Sequence, residues 1–516
     1  MLVLIGFMGA GKTTVGRALA DRLGLPFTDS DEAIVAREGR SIPEIFESGG
    51  EPAFRAVESE EVASILRGPA GVVSLGGGAP TIAQVRAALA EQHVVLLDVD
   101  LDTALQRVGS TKDRPLLESS DVHELFAQRR MLYREVADVV VDARRSPDEV
   151  AEEILARCEE RVKVALGPRS YDVVIASGCA ASVGAEVARL VRPEKAAVIS
   201  HPSLAHMAKA VATACESAGI EPLLIEVPEG EVSKSLGQAE RLVEEMATAE
   251  MHRGDVVIGV GGGVITDLAG FVASIFMRGI AVVHVPTTLL GQVDAAVGGK
   301  TGVDLPQGKN LVGTFHQPRL VLCDPTHLDS LDDAEFVAGL AEVAKAGLIS
   351  DPSLVSFLRE RGRDVLRRDP ATVVELVRAA VRVKASVVGG DEREAGARAI
   401  LNYGHTFAHA IETASGLGTI RHGEAVALGM VAAAHVSEIV GLGPRGLAAQ
   451  HVELLALLGL PTSATLRYEN LAPVWKLDKK YAGGVRFVLL RDIGDPVTGV
   501  AVDERDLREA LERMSS

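Results

Sequence analysis

Residues 6–13 read Gly-Phe-Met-Gly-Ala-Gly-Lys-Thr, and this glycine-rich stretch directly follows an apolar run at residues 2–5. A strand that leads into a glycine-rich turn and then a helix is the context that a phosphate-binding loop requires. The glycines let several backbone N–H groups point at one anion, and the helix N-terminus adds partial positive charge. The stretch therefore predicts a nucleotide site in which Lys12 contacts the outer phosphates and the Thr13 hydroxyl holds Mg²⁺.

Length and composition limit the class of protein. A chain of 516 residues is too long for one compact core, so we expect two or three domains. The formal net charge of −18 argues against a general binder of nucleic acid or anionic membranes, so small anionic substrates would need local basic pockets. The four cysteines are widely spaced, which predicts buried free thiols in a reducing cytosol.

Two features of the chain bear on its location. The phosphate-binding loop starts within six residues of Met1, which leaves no room for a signal peptide. No apolar run approaches the ~18 residues that a membrane span needs, and residues 425–436 are better interpreted as a buried core helix. We therefore expect a soluble, cytoplasmic protein.

The rhythm of apolar runs divides the chain into three predicted domains. Short apolar runs alternate with amphipathic stretches up to about residue 157, which indicates an α/β layered domain. A second series of runs begins at Tyr171, so we place a boundary near residue 160. After Asp332 the strand signal disappears except at residues 485–490, which predicts a mainly helical last domain. The predicted domains are residues 1–160, 161–332 and 333–516. The predicted strands lie at residues 2–5, 25–28, 72–75, 93–99, 137–141, 196–199, 223–227, 256–260, 281–285 and 320–323, and the second series opens with the stretch at residues 171–178.

Carboxylates and arginines accompany the phosphate-binding loop. Asp29 and Asp31 close the second apolar run, and two residues apart on an extended chain they point the same way at the sheet edge where ligands bind. One carboxylate can assist a metal while the other accepts a proton from a hydroxyl group; a solvated helix cap is the alternative. Residues 76–78 are glycines at the end of a third run, for which a simple turn is the alternative. Three separate arginines can form bidentate hydrogen bonds to a substrate carboxylate and to the transferred phosphate, namely Arg55, Arg114 and Arg134.

Together these motifs, with Phe54-Arg55, Arg114-Pro-Leu-Leu and Leu132-Tyr-Arg134, resemble shikimate kinase over roughly 160 residues. The resemblance implies a P-loop kinase fold, a parallel sheet with helices on both faces, that transfers phosphate from ATP to the shikimate 3-hydroxyl. It implies that Asp31 is the base, that Arg107 lies near the adenine and that Arg114 lies in a closing lid. It implies an ATP site at Gly9, Ala10, Gly11, Lys12, Thr13, Thr14, Arg107 and Arg114, a shikimate site at Asp31, Arg55, Gly77, Gly78 and Arg134, and Mg²⁺ at Thr13 and Asp29. A non-catalytic docking module is the alternative, and the intact Lys12 and Asp31 argue against it.

Histidines and lysines dominate the second half. His405 and His409 have i, i+4 spacing, which puts both rings on one helix face, and with Glu342 and His422 they make a candidate metal site of the catalytic Zn²⁺ type. The three glycines at 261–263 follow an apolar strand, so that a pyrophosphate can approach the main chain. Basic residues suited to a phosphorylated anion are Arg278, Lys300, Lys309, Lys345, Lys384 and Arg398; scattered solvated charges are the alternative.

These stretches resemble 3-dehydroquinate synthase over about residues 163–516. The resemblance implies a Rossmann-like α/β NAD domain, a mostly helical domain for metal and substrate, and a homodimer. It implies cyclisation of 3-deoxy-arabino-heptulosonate 7-phosphate to 3-dehydroquinate with release of phosphate, on the route to chorismate and aromatic amino acids. The implied metal, Zn²⁺ or Co²⁺, is held by Glu342, His405 and His422, whereas His409 faces the substrate. The spacing alone would have made His409 a ligand.

The resemblance also assigns the remaining residues of the second site. The implied NAD contacts are Glu231, Lys234, Gly262, Gly263, Asp267, Thr287, Thr288, Lys300, Lys309 and Ser330. The implied substrate contacts are Arg278 from a partner subunit, Asp294, Lys300, Asn310, Lys345, Lys384, Glu394, Arg398, Asn402, His409 and one of Lys479 or Lys480, with Asp294, Lys300, Lys345, Lys384 and His409 in the chemistry. One departure is Ser200, which with His201 stands where the family usually has an acid for the adenosine ribose. The rival is a metal-dependent alcohol dehydrogenase, which has no use for so many basic residues around its metal.

Overall fold

The computed structural model describes residues 1–23, 25–68, 71–90, 92–108, 122–158, 160–416, 419–477 and 485–515. The chain forms two compact units, Met1–Glu159 and Glu160–Ser516. Three predicted site residues, Arg114, Lys479 and Lys480, lie outside the described residues. None of the described helices is long and apolar enough to cross a membrane.

The first unit is a parallel sheet surrounded by helices. Its strands are β1 (Leu2–Ile5), β2 (Phe27–Asp29), β3 (Val72–Ser74), β4 (His93–Asp98) and β5 (Val139–Asp142), in the order β2-β3-β1-β4-β5. Its helices are α1 (Lys12–Leu23), α2 (Ser30–Glu38), α3 (Ile42–Leu66), α4 (Ala83–Leu89), α5 (Leu101–Val108), α6 (Val122–Val136) and α7 (Pro147–Cys158). The central strands are buried on both faces, which is why each was recognisable as a continuous apolar run. The predicted α/β class is confirmed.

The second unit begins with a seven-stranded sheet. Its strands are β6 (Glu160–Val164), β7 (Tyr171–Ile175), β8 (Lys195–Ser200), β9 (Glu221–Glu226), β10 (Val256–Gly261), β11 (Ala281–Pro286) and β14 (Leu320–Cys323). The sheet order is β6-β7-β14-β11-β10-β8-β9, and β6 alone is antiparallel to its neighbour among these strands. A separate hairpin joins β12 (Lys300–Leu305) to β13 (Gly308–Phe315). The helices of this part are α8 (Val183–Leu190), α9 (Ala205–Ser217), α10 (Leu236–Thr248) and α11 (Gly263–Ile275).

The rest of the second unit is mainly helical. It contains α12 (Asp333–Ser350), α13 (Pro352–Leu366), α14 (Pro370–Gly390), α15 (His405–Ser415), α16 (His422–Ile439), α17 (Leu447–Leu457), α18 (Tyr468–Leu477) and α19 (Glu504–Arg513), with a hairpin of β15 (Arg486–Asp492) and β16 (Asp495–Ala501) before the last helix. The interior of α16 is buried on nearly all sides, as predicted for a core helix at residues 425–436. The side chains of α12, α14 and α16 share one apolar core with the β6–β7 edge of the sheet.

Among the described residues, Cys215 and Cys323 are free thiols, and both side chains lie in the core. Burial raises the pKa of the Cys215 thiol to about 11, which keeps it protonated and unreactive at neutral pH. Cys179 is also buried, whereas the side chain of Cys158 lies outside the described residues. The predicted buried thiols are therefore confirmed where they are described.

Candidate active sites

The glycine-rich loop lies between β1 and α1, as the sequence predicted. Gly9 and Gly11 have φ values of 80° and 89°, a conformation that favours glycine and lets the chain curl around an anion. The Lys12 Nζ donates to the carbonyl oxygens of Gly6 at 2.9 Å and Phe7 at 3.3 Å, so this ammonium group lies over the loop. The Thr13 hydroxyl donates to Asp29 Oδ2 at 2.7 Å, which brings the two predicted Mg²⁺ residues into contact.

A cavity of about 350 Å³ opens beside this loop. Its lining comes from Gly9, Ala10, Gly11, Thr14 and Val15 on one side and from Arg107, Ala143, Arg145 and Pro147 on the other. The Arg107 guanidinium donates to the carbonyl oxygens of Ala143 at 2.8 Å and Arg144 at 3.2 Å, so its position is fixed at the cavity wall. The cavity is therefore suited to a nucleotide whose phosphates lie on the loop.

Carboxylates and an arginine surround the predicted triple glycine. A Cβ on Gly76 would lie only 2.6 Å from Asp31 Oδ1 and 2.8 Å from Glu58 Oε1, so the bare backbone is needed here. Arg55 pairs with Glu58 and, at 3.0 Å, with Glu51, and a Cβ on Gly78 would clash with its guanidinium. The Glu58 side chain is buried, and burial raises its pKa although Arg55 opposes the shift. Glu58 was missed because a glutamate in a charged helix carries no pattern of its own.

In the structure, Arg134 belongs to an ion-pair group that the sequence did not predict. Arg130 and Arg134 lie one turn apart on α6, and both donate to the Asp98 carboxylate, Arg130 with bonds of 2.8 and 2.7 Å and Arg134 with one of 2.8 Å. The Arg134 side chain is 54% exposed. Burial alone would raise the pKa of Asp98, but these two guanidinium groups lower it. Arg134 is therefore directed to Asp98 and not to the triple glycine.

Arg129 and Tyr133, one turn apart on α6, lie near Gly77 and Glu58. The Tyr133 hydroxyl donates to the carbonyl oxygen of Gly77, and burial raises the pKa of Tyr133 to about 12. Arg129 is 5% exposed, and its Nε has no hydrogen-bond partner in the part of the chain that is described. Arg129 also acts electrostatically on Glu58 and Tyr133. Counting back one helical turn from Tyr133 would have selected Arg129 from the sequence.

In the second unit, one carboxylate and two imidazoles converge. Glu342 lies in α12, and His405 and His422 are the first residues of α15 and α16. Their ligand atoms all lie within 4.8 Å of one another, and Glu342 Oε1 is 3.5 Å from His405 Nε2 and 3.7 Å from His422 Nε2. His409 is exposed and is not part of this group, although its ring centroid is 5.7 Å from that of His405. The structure thus brings together the set that the resemblance implied and not the set that spacing favoured.

The donor chemistry of this group fits a divalent ion. A carbonyl or carboxylate oxygen can only accept, so Nδ1 of His405, 3.2 Å from the Tyr403 carbonyl, and Nδ1 of His422, 3.2 Å from Glu412 Oε1, carry the protons. Each Nε2 is then a lone-pair donor directed to the centre of the cluster. The Glu342 carboxylate is 2% exposed, and two nitrogen ligands with one oxygen leave a position for substrate, as in catalytic zinc sites.

The predicted lysines are paired with carboxylates around this group. Lys345 pairs with Glu342, Lys384 with Asp294 at 2.5 Å, and Lys300 with Glu394 at 2.5 Å. Burial lowers the pKa of Lys384, and the Asp294 carboxylate opposes the shift. Asn402 donates to the other oxygen of Glu394 at 2.5 Å. Lys300, Glu394 and Asn402 therefore form one connected group of predicted substrate residues, and Lys384 and Asp294 form another.

Two further predicted substrate residues have different surroundings. Arg398 is 1% exposed and donates to the carbonyl oxygens of Gly298 and Glu392, while its Nε has no hydrogen-bond partner among the described residues. Arg278 lies on an exposed turn with φ 67°.

A second polar group lies where β10 leads into α11. The Lys234 Nζ contacts Asp267 at 2.8 Å and Asn310 Oδ1 at 2.6 Å, and Glu231 lies 3.7 Å from both Lys234 and Lys309. Burial raises the pKa of Asp267 to about 6 against the effect of Lys234. A Cβ on Gly262 would lie 2.9 Å from the Thr288 side chain, so the segment that follows β10 packs closely against the segment that follows β11, which carries Thr287 and Thr288. Ser330 is exposed, and its hydroxyl donates to the His327 carbonyl at 3.4 Å, apart from this group. Ser200 is buried and donates to the Val260 carbonyl at 2.8 Å, so the usual acidic position serves the sheet here.

Comparison with known proteins separates the two units in the same way. The shikimate kinase family model matches residues 8–159, and the models for the N-terminal and C-terminal parts of 3-dehydroquinate synthase match residues 224–338 and 339–481. A 3-dehydroquinate synthase of Nitrobacter winogradskyi is 44% identical over 365 residues, which cover 68% of this chain and 95% of the relative. A solved 2-epi-5-epi-valiolone synthase of Streptomyces hygroscopicus with NAD⁺ and Zn²⁺ bound has a TM-score of 0.62 and 28% identity, over 68% of this chain and 98% of that one. A 2-deoxy-scyllo-inosose synthase with carbaglucose-6-phosphate, NAD⁺ and Co²⁺ has a TM-score of 0.60 and 27% identity, over 69% of this chain and all of that one.

Proposed function

We propose a role for each group of residues described above, since this chain belongs to the 3-dehydroquinate synthase family and carries a shikimate kinase domain ahead of the synthase part. The chain is a bifunctional enzyme of the shikimate pathway. One unit phosphorylates the shikimate 3-hydroxyl with ATP and Mg²⁺, and the other converts 3-deoxy-D-arabino-heptulosonate 7-phosphate to 3-dehydroquinate with NAD and a divalent metal ion. The convergence of Glu342, His405 and His422 is the observation that carries the second role.

In the kinase unit, Lys12 binds the outer phosphates of ATP and Arg107 closes the side of the nucleotide cavity. Asp31, next to the triple glycine, accepts the proton of the shikimate hydroxyl, while Thr13 and Asp29 hold Mg²⁺ in concert with the phosphates. We assign Arg114 to the lid from the resemblance alone. The shikimate carboxylate is bound by Arg55 together with Arg129, which takes the place that we first gave to Arg134.

Replacing Arg129 by alanine is expected to raise the KM for shikimate by about 10–100-fold with little change in the KM for ATP, since a charge-assisted hydrogen bond contributes about 1.5–3 kcal/mol. Arg134→Ala, on the same helix, is the matched control and should leave both KM values near those of the wild type. Steady-state kinetics with each substrate varied in turn measures the difference. An effect of Arg134→Ala larger than that of Arg129→Ala would return the carboxylate contact to Arg134.

In the synthase unit, the residues of this chain hold a flexible, doubly anionic substrate beside the cofactor and the ion. When bound, NAD⁺ accepts and returns a hydride, and Zn²⁺ or Co²⁺ polarises the substrate hydroxyls. Lys300, Lys384 and Arg398 bind the phosphate and carboxylate of the substrate with help from Asn310 and His409. Asp294, Lys345 and Glu394 orient these cations and move protons. Holding the substrate in one pose is itself worth several kcal/mol, because the entropy of alignment is lost on binding rather than during reaction.

We assign the NAD site to the turn after β10. Gly262 and Gly263 allow the pyrophosphate to approach the N-terminus of α11, which carries Asp267, and the neighbouring segment after β11 supplies Thr287 and Thr288. Lys234 links this turn to Asn310, so the cofactor and substrate sites share a residue pair. The proposed domain limits are residues 161–332 for the NAD part and 333–516 for the metal and substrate part.

The synthase unit is proposed to form a homodimer in the cytoplasm. Three large apolar side chains, Ile275, Met277 and Phe315, are each about 45% exposed, and the segments that carry them are joined by the hydrogen bond from His316 to the Ile280 carbonyl. Arg278 lies between them in the chain on the exposed turn. Covering this surface with a second copy would bury the apolar groups and bring Arg278 to a neighbouring site.

A chelator experiment tests which of the two reactions depends on the histidine cluster. With Mg²⁺ in excess, incubation with a chelator selective for transition metals should abolish formation of 3-dehydroquinate while phosphorylation of shikimate continues, since only the second reaction depends on the histidine cluster. Both products and inorganic phosphate are measured on the purified full chain, and added Zn²⁺ or Co²⁺ should restore cyclisation. Net formation of NADH without phosphate release would favour the alcohol dehydrogenase alternative. Cyclisation that persists after metal removal would contradict the metal assignment.

A further inference from the structure

His422, the second ring ligand of the metal cluster, is only partly buried. His422 is the first residue of α16 and its side chain is 34% exposed, whereas the His405 side chain is 14% exposed. A histidine at a helix end has few neighbours to restrict its side-chain torsions, so packing alone does not fix the direction of its Nε2. The ring therefore needs a polar partner if it is to present Nε2 to Glu342 and the ion.

Glu412 supplies that partner from a different helix. It lies on α15, seven residues after His405, and its Oε1 is 3.2 Å from His422 Nδ1. The Glu412 side chain is 12% exposed, so the contact is largely shielded from solvent. The other ring ligand, His405, is held by the Tyr403 carbonyl, a backbone group that no substitution removes.

We propose that Glu412 is a positioning residue that holds His422 with Nδ1 protonated and Nε2 directed at the metal ion. A carboxylate accepts from Nδ1 only if that nitrogen carries the proton, which leaves Nε2 as the donor to the ion. The negative charge also increases the electron density on the ring and so strengthens the metal bond. Because Glu412 and His405 share α15, the same contact fixes the spacing between the two ring ligands.

The proposal rests on the metal assignment made above, and the test separates the two. Binding of Zn²⁺ alone to the metal-free full chain is measured by competition with a chromophoric chelator, and the visible absorption of bound Co²⁺ reports the ligand geometry. Wild type, Glu412→Ala, Glu412→Gln and the control Glu453→Gln, which removes an exposed charge on α17, are compared. If the wild type itself has no tight site, the metal assignment fails; if all four bind equally, only the role of Glu412 fails.

We expect Glu412→Ala to weaken Zn²⁺ binding by about 10–100-fold and to change the Co²⁺ spectrum, as for other partners of metal-bound histidines. Glu412→Gln keeps an accepting oxygen without the charge and should recover part of the affinity, while Glu453→Gln should match the wild type. The melting temperature of each metal-free variant shows whether folding is affected. If Glu412→Ala lowers the melting temperature of the metal-free and Zn²⁺-loaded chains equally, without loss of affinity, Glu412 is a packing residue and the proposal is overturned.

Discussion

Lys12→Ala is expected to reduce shikimate phosphorylation by at least about 10²–10³-fold while 3-dehydroquinate formation stays at the wild-type rate. In the structure the Lys12 ammonium lies over the glycine-rich loop, held by the carbonyl oxygens of Gly6 and Phe7, where the outer phosphates of ATP would lie. Removing one preorganised group that stabilises transition-state charge typically has an effect of this size. The loss should appear mainly in kcat, because the positive charge matters most as negative charge moves to the leaving phosphate.

Both activities are measured on the same purified sample, so the second reaction reports the amount of folded chain. Lys12→Arg is a useful companion, since it keeps the charge but changes the shape of the donor, and it should retain more activity than the alanine variant. The two-site model would be refuted if Lys12→Ala abolished both reactions in a protein that still binds metal.

Glu342→Gln is expected to abolish cyclisation and to destabilise the second unit. Glu342 and Lys345 lie one turn apart on α12, and both side chains are nearly inaccessible. Burial alone would raise the pKa of Glu342, but Lys345 and the two imidazoles lower it well below its usual range. The neutral amide provides a poor metal ligand and removes the adjacent counter-charge of the buried Lys345 ammonium, which keeps the Asp294 carboxylate, itself paired with Lys384. Breaking a buried ion pair by neutralising one partner typically costs about 3–5 kcal/mol.

The double variant Glu342→Gln with Lys345→Met provides the control for this stability effect. It also removes the buried Lys345 ammonium group, so it should regain much of the stability lost in the single variant but none of the cyclisation activity. Thermal unfolding of the metal-free chains measures the first property, and phosphate release measures the second. A single variant as stable as the wild type would show that the pair is better solvated than its burial indicates. Shikimate phosphorylation should stay unchanged in both variants.

The sequence was most informative where the chain is buried. Strands such as β1, β10 and β14 are apolar along their whole length because helices or other strands cover both faces, so their positions could be predicted closely. The β12–β13 hairpin was not predicted, because β13 alternates between exposed and partly exposed residues and has no apolar run. The antiparallel edge strand β6 was missed for the same reason, since it is short and charged.

For the candidate sites, the residue types could be predicted from the sequence, but the directions in which the side chains point could not. The i, i+4 spacing of His405 and His409 is correct as helix geometry, yet the third ligand atom comes from His422 on another helix. Likewise the contact of Arg134 with Asp98 could not be predicted, because the motif indicates the helix α6 but not how that helix is rotated about its axis. Glu58 and Glu412 gave no signal, and Arg129 had only its spacing from Tyr133, since a charged residue in an amphipathic helix is ordinarily solvated and only the packed structure shows which ones are enclosed.

The three lysine–carboxylate pairs around the histidine cluster have a consequence for how ligands enter. Lys345, Lys384 and Lys300 are each paired with an adjacent acidic side chain, so in the metal-free chain these three lysines present dipoles rather than isolated positive charges. Dipole fields fade within a few ångströms, and a chain of net charge −18 repels anions at longer range. To bind a doubly charged sugar acid, each lysine must then exchange its carboxylate partner for an anionic group of the ligand at close contact. The rate of binding should be slow for a charged ligand and should increase, not decrease, as added salt screens the overall repulsion.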